Sequence, residues 1–255
     1  MALKIIELKV GDFMTPDPIA IDEDESFKEA ISIMAKKGIG NLVVKEDNAP
    51  NGILSEREIL LYLVKDGEIL DKPIRNIATE FFSKISTKET VFDAAKLMIS
   101  GKKRLLVFED EKLVGIITAS DMLRGFRKTG GNPSLEDVMS TKIYECPYGD
   151  SIFKAIKLMY KKRIGSVIVT KNETPYGIFT ERDLLVNVLT KGVNLTKRLG
   201  NYCSFPLVTA KIGIRGNDAA RIMASNKIKR LALTKEDKIV AIVTARDVVD
   251  AFCRD

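Results

Sequence analysis

The fold is decided by residues 177–183, which read Gly-Ile-Phe-Thr-Glu-Arg-Asp. The pattern is a small residue, apolar residues, a hydroxyl and, three positions after the hydroxyl, an acid. It occurs three more times, at residues 52–58, 115–121 and 241–247. Successive copies lie 63, 62 and 64 residues apart, which indicates four tandem copies of one structural unit.

A methionine precedes each motif at a nearly constant distance. The intervals to the first residue of the motif are 18, 17, 18 and 18 residues, for Met34, Met98, Met159 and Met223. In the first unit Met34 continues a helical apolar stripe that includes Phe27 and Ile31. We therefore interpret the methionines as core residues of four equivalent helices.

Each unit is predicted to run strand–helix–strand–strand–helix, a mixed α/β (α+β) fold. In the first unit the predicted elements are an extended segment over 18–21, a helix capped by Ser26, strands over 42–44 and 52–54 around a turn at 48–51, and a helix over 56–65. The predicted repeats span residues 8–66, 72–127, 134–192 and 197–254.

A unit of this size cannot cover both faces of its own small sheet. We therefore expect the apolar helical stripes of repeats one and two to cover each other, and likewise those of repeats three and four. Residues 128–133 (Lys-Thr-Gly-Gly-Asn-Pro) have the composition of a linker. They are predicted to be the boundary between the two pairs and the first site of limited proteolysis.

Composition disfavours several classes of protein. The chain has no histidine, which excludes Ser-His-Asp and Cys-His catalysis and histidine-ligated zinc. Its three cysteines form no Cys-x-x-Cys pair and favour a reducing compartment. No apolar run reaches the length of a membrane span, about 18 residues. We expect a cytoplasmic protein that is neither an enzyme nor membrane-bound.

The four units resemble CBS domains. Each ends on the motif above followed by a helix, and two open with the similar stretches 11–16 (Gly-Asp-Phe-Met-Thr-Pro) and 136–141 (Glu-Asp-Val-Met-Ser-Thr). The resemblance implies two Bateman modules, each made of paired repeats, as in the γ regulatory subunit of the AMP-activated protein kinase. It implies that AMP, ADP or ATP, with S-adenosylmethionine less favoured, binds in clefts between paired repeats and controls a partner protein. Whether the chain forms a homodimer stays open.

The hydroxyl and the acid of the motif have two interpretations. They can form a capping box that completes the helix N-terminus, or they can contact the ribose and phosphate of a ligand. An Asp is expected to reach back to the N-cap amide less well than a Glu does. Capping is therefore favoured for Ser55 and Glu58, and ligand contact for the three Thr–Asp pairs. Those pairs are Thr118 with Asp121, Thr180 with Asp183, and Thr244 with Asp247.

Basic pairs precede the central strand in alternate repeats. They are Lys103-Arg104 in repeat two and Lys229-Arg230 in repeat four. In the γ subunit this position holds a His-Arg pair that grips phosphate, so the resemblance implies phosphate contact. The alternative is a solvated helix end whose dipole the cations neutralise. Arg182 and Arg246, inside the motif, are further candidates for phosphate contact.

The first strand of each repeat is the predicted wall of an adenine slot. The weaker candidates there are Ile19, Ile21, Tyr144, Cys146 and Val208. The module of repeats three and four is expected to bind nucleotide most tightly, because both of its motifs carry Asp. The alternative function is nucleic-acid binding through the net charge of +6, which the interspersed acidic residues disfavour.

Overall fold

The computed structural model describes residues 8–69, 71–77, 81–101 and 104–254. The described chain divides into two compact units. Unit one comprises the described parts of Met1–Pro18, Phe82–Ile143 and Val208–Asp255, and unit two those of Ile19–Phe81 and Tyr144–Leu207. Unit one therefore holds the bodies of repeats two and four, and unit two those of repeats one and three.

The first half of the chain has the predicted order of elements. Two short elements come first: α1 (Val10–Phe13) and β1 (Thr15–Pro16). Repeat one contains β2 (Ala20–Asp22), α2 (Phe27–Lys37), β3 (Asn41–Glu46), β4 (Ala49–Ser55) and α3 (Glu56–Asp66). Repeat two contains β5 (Ser83–Ser86), α4 (Val91–Ile99), β6 (Leu105–Glu109), β7 (Lys112–Ile117) and α5 (Ala119–Phe126).

The second half repeats this order. Repeat three contains β8 (Glu145–Pro147), α6 (Ile152–Lys162), β9 (Ser166–Lys171), β10 (Thr174–Thr180) and α7 (Glu181–Asp183). A π-helical turn (Leu184–Val188) and a 3-10 turn (Leu189–Lys191) continue α7. Repeat four contains β11 (Thr209–Lys211), α8 (Gly216–Ser225), β12 (Arg230–Lys235), β13 (Lys238–Thr244) and α9 (Ala245–Arg254).

Each repeat builds one small sheet around its second strand. In repeat one, β3 pairs in parallel with β2 and antiparallel with β4, and the other repeats follow the same plan. The β3–β4 hairpin turns at Asp47 and Asn48, which both have positive φ, as a tight two-residue turn requires. The predicted turn at 48–51 is therefore too long, because Ala49–Ser55 already form the returning strand.

The opening segments of the repeats are exchanged between chain neighbours. β1, which precedes repeat one, pairs antiparallel with β7 of repeat two. In return, Pro73 from the start of repeat two bridges Ser26 of repeat one. Repeats three and four do the same, through bridges from Ser140 to Ile242 and from Ser204 to Ile178. Each opening segment therefore pairs with the repeat next to its own in the chain, and every one of these contacts lies within a single unit.

The apolar helical stripes pair differently. In the core of unit one, Phe126 of α5 stacks on Phe252 of α9. In unit two, Leu60 and Leu63 of α3 share a core with Met159 of α6. The helices of repeat two therefore pack against those of repeat four, and those of repeat one against those of repeat three. The prediction that the stripes cover each other in chain order is wrong, because periodicity identifies an apolar face without identifying its partner.

Residues 128–133 lie inside unit one, so the predicted boundary there is wrong. The backbone oxygen of Asn132 accepts a hydrogen bond from Arg215, and its side-chain oxygen accepts one of 2.8 Å from the amide of Asn217. Pro133 is buried and its carbonyl accepts the amide of Gly216 at 2.8 Å. The segment looks like a linker by composition, but its polar groups hold the start of α8.

Candidate functional site

The four motifs lie where the last strand of each repeat runs into its last helix. The hydroxyl residue occupies the N-cap, and Thr118 and Thr180 have nearly identical backbone angles there, with φ −122° in both. The acid follows three residues later, in the first turn. A strand followed directly by a capped helix therefore positions each hydroxyl–acid pair.

All four acids cap their helices. The amides of Thr118, Thr180 and Thr244 donate to one carboxylate oxygen of their Asp at 2.8, 2.8 and 2.7 Å. The threonine hydroxyls donate to the same oxygens. The expectation that Asp reaches the N-cap less well is therefore wrong, because the extended N-cap turns its amide toward the acid. Ser55 and Glu58 form a capping box, as predicted.

The second oxygen distinguishes the three aspartates. Oδ1 of Asp183 accepts hydrogen bonds from Ser204 at 2.7 Å and from Asn187 at 3.2 Å. Oδ1 of Asp121 lies 3.0 Å from Nη2 of Arg124. Within the residues that the structure describes, Oδ1 of Asp247 accepts no hydrogen bond. Asp247 therefore keeps one carboxylate oxygen that none of these residues uses.

Burial changes the protonation chemistry of two of these acids. It raises the pKa of Asp183 above its ordinary value, and hydrogen bonds from Thr180 and Ser204 partly oppose the change. Burial also raises the pKa of Asp247, against hydrogen bonds from Thr244. Removal from water disfavours the charged carboxylate in both cases. A donor that replaces the lost water therefore forms a stronger hydrogen bond with these carboxylates than with an exposed one.

Three motif arginines each donate a hydrogen bond to the repeat whose helices pack against those of their own repeat. We call them the crossing arginines. Arg57 donates to the carbonyl of Ile164 at 3.1 Å. Arg182 donates to the carbonyl of Gly38 at 2.8 Å, and Arg246 to that of Ile99 at 2.9 Å. In unit two they also form ion pairs, Arg57 with Glu181 and Arg182 with Glu56. The motif pattern predicted only phosphate contact for Arg182 and Arg246, and it gave no sign of this packing role.

The basic pairs lie where the sequence predicted, as far as the structure describes them. Lys103 lies outside the described residues. Arg104 directly precedes β6, and Arg230 is the first residue of β12. The hairpin register places Arg230 opposite Thr244, and the carbonyl of Lys229 accepts the amide of Ala245 at 2.9 Å. Repeat four therefore brings Lys229 and Arg230 to the edge that carries Thr244.

The predicted adenine walls are less uniform. Ile21 and Cys146 are 6% and 1% exposed and belong to the cores of their repeats, so neither offers surface to a base. Burial raises the pKa of the Cys146 thiol to about 11, so at neutral pH it stays protonated and packs as an apolar group. Ile19, Tyr144 and Val208 are partly exposed and stay candidates.

Asn187 and Ser204 are the site residues that the sequence analysis missed. Asn187 lies one turn after Asp183 in the π-helical stretch and bonds both Asp183 and the carbonyl of Tyr202. Its spacing from Asp183 could have suggested that contact. Ser204 comes from the exchanged opening segment of repeat four, and no local pattern indicates that it meets Asp183.

Neither a metal cluster nor a membrane-spanning helix occurs among the described residues. They contain no group of three or more Cys, Asp or Glu side chains placed to hold a metal ion. Among the same residues, no helix is both long and apolar enough to cross a membrane.

Comparison with known proteins identifies the family. The CBS domain matches four stretches of the chain, residues 10–65, 74–128, 135–189 and 199–254. A 33.4 kDa protein encoded in a ribosomal RNA operon of Thermofilum pendens is 30% identical over 208 residues, covering 75% of this chain and 69% of that protein. Protein MJ1225 of Methanocaldococcus jannaschii is 27% identical over 202 residues, covering 72% of this chain and 71% of that protein.

Two solved structures share the fold over 96% of this chain and all of theirs. The crystal structure of MJ1225, a proposed archaeal homologue of γ-AMPK, aligns with a TM-score of 0.82 at 18% identity. A conserved protein from Pyrococcus horikoshii aligns with a TM-score of 0.67 at 19% identity. At such identities the likeness concerns the fold alone. Together with the four matched stretches, it shows that the chain belongs to the CBS domain family.

Proposed function

We propose that the protein is a regulatory sensor that binds AMP, ADP or ATP at the Thr244–Asp247 motif of repeat four. The observation that carries this proposal is the unused oxygen of Asp247. One carboxylate oxygen caps α9 while Oδ1 accepts no hydrogen bond from the described residues. The vicinal hydroxyls of a ribose are donors that fit such an oxygen. A charge-assisted hydrogen bond at a partly buried carboxylate is stronger than a neutral one.

The neighbouring cations favour a phosphorylated ligand. Arg230 stands opposite Thr244 in the hairpin, and Lys229 directly precedes it. The guanidinium of an arginine matches two phosphate oxygens at once, whereas lysine supplies a compact charge. A nucleotide whose ribose lies on Asp247 would carry its phosphates toward this pair.

The other motifs rank below repeat four. A ribose at Asp183 would have to displace Ser204 and Asn187, and one at Asp121 would have to compete with Arg124. Ser55 and Glu58 complete a helix cap. The sequence predicted the tightest binding in the module that carries both Asp183 and Asp247, and of these two we propose Asp247 as the tighter site.

Regulation through a partner protein rests on the family and on its relatives. MJ1225 is described as a proposed homologue of γ-AMPK, a regulatory subunit of a kinase, and its fold matches over nearly the whole chain. A nucleotide can act on a partner only if the partner prefers one ligand state of the sensor.

The test compares adenosine with 2′,3′-dideoxyadenosine, which lacks the diol, by calorimetry on the parent protein and on Asp247→Ala. The parent should favour adenosine by about 5- to 150-fold, the equivalent of roughly 1–3 kcal/mol for a charge-assisted hydrogen bond. Asp247→Ala should lose this preference, because the diol then has no acceptor. Glu58→Ala, which removes a capping acid of repeat one, is the matched control and should keep it. If Asp247→Ala discriminates as the parent does, the ribose lies elsewhere.

A further inference from the structure

A cavity of about 690 Å³ lies in unit two, away from the motifs. It is bordered by the first two turns of α2, by the end of α3 and by the end of the helical stretch that continues α7. The last helix of repeat one runs from its motif residue Ser55 to Gly67, which lines the cavity. The eleven residues of this helix span about 16 Å, at roughly 1.5 Å per residue. The cavity is therefore a separate site from the hydroxyl–acid pairs.

The walls of the cavity are largely apolar. Its large apolar residues are all buried or partly buried, and they are Ile31, Leu63, Ile69, Leu189, Val193 and Leu195. Small-molecule sites are clefts of about 300–1,000 Å³ with mostly apolar walls and a few polar groups. This cavity has such a volume and such walls, with Lys28, Ser32 and Glu68 among its polar residues. Its size and lining are therefore typical of a ligand site.

Repeats two and three carry a phenyl ring near the start of their first helices, where repeat one has the cavity. In repeat three, Phe153 packs against the core of unit two, and Nζ of Lys157 lies 4.6 Å from its ring centroid. Repeat two has the same Phe–Lys pair at these positions. In repeat one the two positions hold Lys28 and Ser32, and both line the cavity. The helix that borders the cavity therefore lacks the ring of its counterparts, which points to an apolar occupant.

Groups of opposite charge border the cavity. Lys28 lies in the first turn of α2, where the helix dipole is positive, and Glu68 directly follows Gly67, where α3 ends and the dipole is negative. Among the described residues no cation pairs with Glu68, and Lys28 meets only Asp71, at 3.9 Å. Both side chains of that pair are more than half exposed, so it contributes little to stability. Both charges are therefore available to a ligand.

We propose that this cavity binds a zwitterionic ligand with an apolar side chain. In this arrangement the ligand carboxylate faces Lys28, the ammonium faces Glu68 and the last carbonyls of α3, and the side chain lies on the apolar walls. A volume of 690 Å³ corresponds to roughly 23 water molecules at about 30 Å³ each, which leaves room for an amino acid or a dipeptide. These are the two candidate sources of the ligand. Because repeats one and three both supply walls, the ligand also stabilises the packing between them.

The first test measures the binding of L-phenylalanine by calorimetry and compares it with two analogues. Phenethylamine lacks the carboxylate, and hydrocinnamate lacks the amino group. Phenylalanine should bind about tenfold more tightly than either analogue, because each of them loses a charge-assisted hydrogen bond. Phenylalanylphenylalanine distinguishes the sources: tighter binding than phenylalanine indicates a peptide, and equal or weaker binding indicates an amino acid. An analogue that binds as tightly as phenylalanine, or no binding of either phenylalanine or the dipeptide, would overturn the proposal.

The second test assigns each ligand charge to a residue. Lys28→Met should weaken phenylalanine binding about tenfold and leave phenethylamine binding unchanged, because only phenylalanine has a carboxylate. Glu68→Gln should weaken phenylalanine binding by a similar factor and leave hydrocinnamate binding unchanged. Lys36→Met is the matched control and should bind as the parent does, since Lys36 is an exposed lysine of α2 that does not line the cavity. An equal loss in this control, or a variant that weakens phenylalanine and its analogue equally, would contradict the assignment.

The third test fills the cavity. Ser32→Phe adds a ring at a lining position without changing the net charge. Phenylalanine affinity should fall about tenfold or more, because the new side chain occupies the space that the ligand needs. Unchanged affinity in Ser32→Phe, with unfolding at the parent's temperature, shows that phenylalanine binds elsewhere. Asp247→Ala, which removes the proposed ribose contact, should leave phenylalanine affinity unchanged, so the two proposals can fail independently.

Discussion

The pairing of repeat two with repeat four predicts a specific energetic coupling between two phenylalanines. Phe126 of α5 and Phe252 of α9 stack with ring centroids 5.1 Å apart and an interplanar angle of 19°. Both side chains are at most 1% exposed. They lie more than a hundred residues apart in sequence, so they meet only if α5 and α9 share one core.

Replacing either ring by alanine should reduce the free energy of unfolding by about 3–5 kcal/mol, from lost burial and the cavity left behind. The double variant should lose less than the sum of the two single losses. The difference is expected to be about 0.5–3 kcal/mol, since each single change already removes the contact between the rings. About 0.5–1.5 kcal/mol of it reflects the stacking itself.

Urea unfolding followed by circular dichroism measures these energies, with midpoint and slope fitted for each variant. Phe81→Ala is the control, because Phe81 is 92% exposed, and its change should stay within about 0.5 kcal/mol. If the two core losses add to within about 0.5 kcal/mol, the rings do not touch. The assignment of repeat two to the core of repeat four would then be refuted.

Two other predictions follow from the site and from the start of α8. Because burial raises the pKa of Asp183 above 3.8, the folded state binds its proton more tightly than the unfolded state, so this group's contribution to stability falls as pH rises from 3.8 through the raised pKa. Thermal unfolding between pH 3.5 and 7 should show that decline for the parent and not for Asp183→Asn, and an identical pH profile would contradict it. Asn132→Ala should cost about 0.5–2 kcal/mol, as loss of an N-cap does, because the amide of Asn217 loses its acceptor. Limited proteolysis should cut the parent first outside residues 128–133 and cut Asn132→Ala there sooner, and early cleavage of the parent within this segment would contradict the packing of Pro133.

The fold within each repeat was predictable because its determinants are local. The leading methionines are at most 4% exposed, as their helical spacing indicated. Ser26 accepts the amide of Glu29, and Gly38 ends α2 in the left-handed conformation, as a cap and a stop require. Such signals act over a few residues and recur in every copy, so repetition strengthened each prediction.

The partners of the repeats were not predictable from the same signals. Four similar sequences present four similar apolar faces, and periodicity does not distinguish α9 from α3 as the partner of α5. The exchange of opening segments depends on long-range pairing such as that of β1 with β7. Composition was misleading at residues 128–133, because Asn132 and Pro133 are typical of linkers and also suit the packed start of a helix.

Helix capping does not exclude ligand binding in this motif, because a carboxylate has two oxygens. The local sequence determines the first oxygen, which caps the helix in all three Thr–Asp repeats. The tertiary structure determines the second: at Asp183 the exchanged segment supplies Ser204, at Asp121 the same helix supplies Arg124, and at Asp247 no described residue fills it. At Asp183 and Asp121 the partner of the second oxygen lies outside the motif, at a position whose residue varies between repeats. If a ribose needs an oxygen without a hydrogen-bond partner, as we propose for Asp247, a count of intact motifs overestimates the number of ligand sites, and the environment of the second oxygen is the feature to compare.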